Sequence, residues 1–243
     1  MKRCVFAGPS LYREPVQDGV TRFGPVALGS VFRAVEAGYR RIGIVDGVFG
    51  NLPSVWHKEI LFAISEGVEV TGAGSMGALR AAELKGLGML GLGSIFRLFR
   101  SGAWTDDDEV AVLHCPRELD FRPLSDAMAN IRFTLRALRR QGSIDRQIEA
   151  ELIARMKPLH FSDRTPEQLQ RQFTEALGKS AGSRQFDAYR RSYVDIKRLD
   201  ARILLRHLGD RSGGSSRPRP GFRPTEYWRR QFEQQIADVP PLS

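Results

Sequence analysis

Cysteine is almost absent: the 243 residues hold two, Cys4 and Cys115. Two thiols cannot build the disulfide framework that staples small secreted domains, so a pair of buried, reduced side chains is expected. Histidine is nearly as scarce, at His57, His114, His160 and His207, so few imidazoles are available as a general base. Lysine is scarce too, six residues against 31 arginines, and only Lys2, Lys58 and Lys85 precede residue 117. No apolar run approaches the ~18 residues of a membrane span. The first nine residues run straight into a strand-like stretch with no secretory pattern. A cytoplasmic protein with no membrane partner is the expectation. No internal repeat is present.

Hydrophobic residues make up 42% of the chain, enough to bury a core. The net charge of +9 is uneven. Residues 1–116 carry 12 basic and 12 acidic side chains, whereas residues 117–243 carry 25 and 16. The second half therefore reads either as a solvated arginine-rich face or as a surface for an acidic partner. No aromatic stacking pattern accompanies the arginines, which argues against nucleic acid.

The first half alternates strand-like runs at 4–7, 41–45, 68–71 and 110–114 with helical patterns at 25–37, 54–65 and 75–84. That alternation predicts βαβ units and a mainly parallel sheet. The second half carries helical spacing at 124–140, 145–156, 166–177 and 186–208. The fold class is α/β, with an N-terminal sheet, flanking helices and a C-terminal helical appendage. The domains read as a core at 1–116, a basic helical region at 117–211, a flexible glycine-, serine- and proline-rich linker at 212–224 and a tail helix within 225–243.

Ligands of parallel sheets sit beyond the carboxyl ends of the strands. Three such ends should converge: Gly8-Pro9-Ser10, Asp46-Gly47 and Gly74-Ser75. Gly72, Gly74 and Gly77 match G-x-G-x-x-G, yet residues 88–96 contain neither the following strand nor the acid that a dinucleotide site needs. The same stretch also reads as a nucleophile turn. Ser75 stands between strand and helix, where the Met76 N–H can hold an oxyanion. Ala73-Gly74-Ser75-Met76-Gly77 departs from G-x-S-x-G at its first position. A serine at this position also reads simply as a helix N-cap. For a base, His57 and Lys58 on the preceding helix are equal candidates, since neighbours on a helix point about 100° apart. The acid run Asp106-Asp107-Asp108-Glu109 reads as a solvated or turn-capping segment, and neither metal nor cofactor is expected.

Read together, the run 44–49, the run 54–61 containing Trp56-His57-Lys58-Glu59, the run 75–84, Gly88-Met89 and the run 107–112 resemble the TfuA-like family over roughly residues 3–115. That resemblance implies an α/β fold unlike a standard hydrolase. It implies a partner of YcaO enzymes in peptide backbone thioamidation, and hydrolysis of the C-terminal thiocarboxylate of a ThiS-like sulfur carrier. The family's serine–lysine pair falls on Ser75 and Lys58. Gly74, Met76 and Gly77 form the turn and oxyanion site, supported by Asp46, His57, Glu59, Arg80, Glu83, Gly8 and Ser10. Glycines 72, 74 and 77 would leave a slot for the carrier's thin Gly-Gly tail. The sequence departs from the family at Ser30, where an acid is usual. An adaptor that brings peptide to YcaO is the non-enzymatic reading of the same resemblance, and a nucleotide-binding protein is a third.

Overall fold

The computed structural model describes residues 1–49, 53–210, 222–237 and 242. The chain forms two compact units, one of residues 1–105 with 198–243, the other of residues 106–197. These boundaries differ from those read in the sequence, where the breaks fell at 116, 211 and 224. Most of the glycine-rich linker lies outside the described residues.

The first unit is built on five parallel strands: β1 (Lys2–Phe6), β2 (Val20–Phe23), β3 (Tyr39–Ile44), β4 (Glu69–Gly72) and β5 (Leu90–Gly91), in the order β2-β1-β3-β4-β5. This is the order of flavodoxin-like sheets, whose ligand crevice lies at the β1/β3 switch point. The helices between strands are α1 (Ser30–Glu36), α2 (His57–Ser65) and α3 (Met76–Glu83), and α4 (Gly93–Arg100) follows β5. Strands β1, β3 and β4 match the expected runs.

The expected strand at 110–114 does not form. His114 makes only an isolated antiparallel bridge to Pro123, because Pro116 and Pro123 lack the N–H donors a ladder needs. Strands β2 and β5 were not anticipated. The pattern at 186–208 divides into α8 (Lys179–Arg191) and α9 (Ile196–Gly209).

Most of α9 belongs to the sheet unit. Its Leu204 and Leu208 pack so closely on Gly43 that an added Cβ would lie 2.6 and 2.8 Å from their methyls. Val5, Ala7, Val45 and Ala73 complete that buried cluster. The carbonyls ending α9 are capped by arginines from the sheet: Arg41 donates to His207 O at 2.9 Å and Leu208 O at 3.3 Å, and Arg3 donates to Leu208 O at 2.9 Å. Cations there satisfy carbonyls that lack an intrahelical partner and oppose the helix dipole. Near the other end, the Asp200 carboxylate caps α4, accepting from the N–H groups of Ser94 (2.9 Å) and Ile95 (2.8 Å).

The tail helix α10 (Glu226–Gln235) is capped by the Thr225 hydroxyl and returns to the same unit. Trp228 and Phe232 stack on each other and meet Phe32, Phe62 and Trp56 of the α1–α2 layer.

The second unit packs α5 (Met128–Arg140), α6 (Arg146–Met156), α7 (Pro166–Leu177) and α8 around Ile131, Leu135, Leu152, Phe173 and Tyr189. Residues 106–197 carry 16 basic and 15 acidic side chains. The basic excess of the second half is therefore nearly cancelled within this unit by the run 106–109. Three of those four acids are engaged, and Asp106 and Asp107 are exposed. Lys157 bridges Asp106, Asp108 and Glu109 at 2.9–3.1 Å, and Arg132 pairs with Glu109 at 2.8 Å. No three-ligand metal cluster occurs among the described residues. Cys4 and Cys115 are free and buried, and burial pushes the Cys4 thiol up to about 12. No helix among the described residues is long and apolar enough to cross a membrane.

Candidate active site at the strand ends

Strands β1, β3 and β4 are neighbours, so their carboxyl ends converge as expected. Asp46, just past β3, is the hub. Its Oδ2 accepts from the backbone N–H of Gly8 and of Ser10, both at 2.9 Å, and its Oδ1 accepts from the Ser10 hydroxyl at 2.6 Å. The loop after β1 is thus pinned across the switch point. Gly8 and Ser10 spend these donors on Asp46, so they act as scaffold rather than as a second oxyanion site.

Ser75 lies at the N-cap position of α3 and is 1% exposed. Its hydroxyl makes no cap hydrogen bond to the helix; the capping is done by its carbonyl, which accepts from Ala78 N at 2.9 Å. The positive φ of the turn falls on Gly74 (+75°), not on the serine, so the turn differs from a hydrolase nucleophile elbow. The other two glycines do not form a tail slot. A Cβ on Gly72 would sit 1.9 Å from Gly77 O, and one on Gly77 would sit 1.8 Å from Ile44 O. Their missing side chains let β3, β4 and α3 touch backbone to backbone. Gly77 also spends its N–H on Val45 O at 3.0 Å, which removes it as an oxyanion donor. The Met76 N–H donates to no carbonyl among the described residues, as expected for the first residue of a helix, and remains available.

The two base candidates differ in surroundings. His57 Nε2 meets Glu83 Oε2 at 2.8 Å, and Arg80 Nη1 donates to the same oxygen at 2.7 Å. Arg80 Nε reaches Val55 O at 3.3 Å. His57, Arg80 and Glu83 therefore form one cluster that ties α2 to α3. Lys58 is exposed, and among the described residues no hydrogen bond or ion pair holds it. Ser75 and Lys58 are not hydrogen-bonded to each other.

Glu59 is fully buried. Its carboxylate accepts from Trp56 N, Gly29 N, Val31 N and Phe32 N at 2.9–3.4 Å. It thus supplies an acid at the N-terminus of α1, where Ser30 stands in the chain itself. Burial pushes its carboxyl up to about 7, against the pull of the four N–H donors. A carboxyl raised this way holds its proton in the folded state where the unfolded chain releases it. Folding stability should therefore decline as pH rises from about 4.5 to about 7. Urea midpoints at pH 5 and pH 8 check this: a higher midpoint at pH 5 is expected, with a smaller difference in Glu59→Gln. Equal midpoints in the native chain would contradict it.

The residue that sequence reasoning passed over is Thr71, whose buried hydroxyl has no partner among the described residues, a costly arrangement four residues before Ser75. The only signal was one polar residue in the buried half of β4.

No curated protein matches the chain. Residues 46–165 match the family model described as TfuA-like protein, which begins at Asp46, takes in Lys58 and Ser75 and runs past residue 115 to the start of the helical unit's α7. By that match residues 46–165 are a TfuA-like domain, of a family linked to an accessory role in thioamidation and associated with YcaO-type partners.

Proposed function

We propose that this protein is an accessory hydrolase of YcaO-dependent thioamidation that releases sulfide from the thiocarboxylate of a ThiS-like carrier. The observation that carries the reading is the placement of Ser75. It stands at a strand end beside the Asp46 hub, its hydroxyl does not cap its helix, and the adjacent Met76 N–H is uncommitted. Ser75 Oγ would attack the thiocarboxylate carbon and pass its proton to the Lys58 amine, while the Met76 N–H receives the oxyanion. Hydrosulfide leaves, and water then hydrolyses the acyl–serine ester to the carrier's carboxylate. Desolvation favours a neutral amine over an ammonium, so docking of the carrier over the exposed Lys58 is the step that arms it.

Sulfide release by single variants separates the two base candidates. Lys58→Ala should lower the rate by about 10²–10⁴-fold, the usual share of a general base. His57→Ala should stay within a few-fold, because His57 is engaged with Glu83. The reverse ranking would move the base to His57.

An adaptor that presents peptide to a YcaO enzyme is the second reading, favoured by the burial of Ser75 and the absence of a Ser75–Lys58 hydrogen bond. It requires Ser75→Ala to support full thioamidation with the carrier as sole sulfur source.

A further inference from the structure

The helical unit contains a cavity of about 350 Å³ whose lining includes Asp126, Phe186, Tyr189, Tyr193 and Arg190. That volume suits a small organic group. The acidic end of the cavity is a fixed network. Tyr193 donates its hydroxyl to Asp126 Oδ1 at 2.8 Å, Tyr189 donates to Oδ2 at 2.9 Å, and Asn130 Nδ2 donates to the Tyr193 oxygen at 2.9 Å. Each carboxylate oxygen is oriented and keeps acceptor capacity.

Among the described residues no lysine, arginine or histidine forms an ion pair with Asp126. Arg190 is exposed on the same cavity and, among the described residues, pairs with no acid. The Arg164 carbonyl accepts the Asp126 N–H at 2.9 Å, but its guanidinium is committed to Asp108. The negative charge of Asp195 only adds repulsion. Burial pushes the Asp126 carboxyl up to about 6, which still leaves it ionised at neutral pH. Three rings line the same cavity as this carboxylate. Phe186 and Tyr189 stack at 6.0 Å and 9°, and Tyr193 meets Tyr189 edge-on at 6.2 Å. Aromatic faces attract cations, and a carboxylate beside them supplies a charged acceptor.

We propose that this cavity binds an organic ammonium: an amine on an apolar stem, either a free alkylamine or the side chain of a lysine in a bound peptide. The proposal is independent of the Ser75 chemistry, and its test uses no turnover. The full chain is titrated calorimetrically at pH 7.5 with hexylamine, with the blocked peptide acetyl-Gly-Gly-Lys-Gly-Gly-amide, and with hexanoate as the oppositely charged probe. Saturable binding of an ammonium probe is expected, weakened at least about tenfold in Asp126→Asn. It should also weaken in Tyr193→Phe, a change at a ring that is 43% exposed, with circular dichroism confirming that the variant is folded. Tighter binding of the peptide identifies a protein side chain as the source, and tighter binding of hexylamine a free amine. Failure of both ammonium probes to saturate, preference for hexanoate, or affinity unchanged in both variants would overturn the proposal.

Discussion

Gly77→Ala should abolish the native fold, whereas Gly86→Ala, nine residues on, should leave it intact. A Cβ on Gly77 would lie 1.8 Å from the Ile44 carbonyl oxygen and 2.5 Å from its carbon. Both are backbone atoms of β3, so no side chain can swing away. The start of α3 would have to lift off the sheet, breaking the Gly77 N–H bond to Val45 O. The displacement would pass to β4, because Gly77 O occupies the space where a Gly72 side chain would be. Overpacking that forces backbone to move costs more than the 1–3 kcal/mol of side-chain crowding. A loss above about 4 kcal/mol is expected, a large share of the 5–15 kcal/mol that holds a domain. At Gly86 nothing lies within 4 Å and φ is not positive, so alanine should shift stability by no more than about 0.5 kcal/mol. Thermal unfolding of the two purified variants checks both, and equal melting temperatures would contradict the backbone-contact account.

Arg164→Met should be the most damaging single change in the helical unit. Arg164 is fully buried, yet it fans its guanidinium across the Asp108 carboxylate at 2.7 and 2.8 Å and across the carbonyls of Asp108, Met156, Lys157 and Leu159. Methionine fills much of the volume but donates nothing. Four carbonyls would lose a donor, and Asp108 would keep only Lys157. Breaking a buried pair from one side costs about 3–5 kcal/mol. Arg164→Lys should recover little, since an ammonium cannot reproduce the planar fork. Urea unfolding followed by far-ultraviolet circular dichroism reads the loss. A midpoint unchanged in Arg164→Met would show the network to be dispensable.

The central strands were legible because β1, β3 and β4 are apolar runs closed by glycine or aspartate. The edge strands were not: β5 has only two residues, paired with Thr71 and Gly72, too few to leave a pattern. At 110–114 the apolar run was real, but only Val110 and Ala111 bury and the backbone is irregular, with the exposed Leu113 donating its N–H to the Ser125 hydroxyl and Cys115 N to Arg122 O. The glycine triplet shows a deeper limit. Spacing reveals that a Cβ is unwelcome, not whether ligand or backbone fills the space. At 72 and 77 it is backbone. The grouping of Ser75 with Asp46 followed from strand ends, whereas the resemblance named His57 and Glu83 only as supporting residues and their contact comes from the structure. The Asp126 network joins residues 63 and 67 positions apart, and with Tyr193 past the end of α8 no helical spacing marks the pair.

The measurement that tests the nucleophile most directly is sulfide release from a purified thiocarboxylated carrier, with free sulfide followed over time for the native chain and for Ser75→Ala. The native chain should release sulfide catalytically. Ser75→Ala, which removes one oxygen and no cap of α3, should keep the native far-ultraviolet circular dichroism and fall to the background rate. Equal release by the two folded proteins would contradict the role of Ser75.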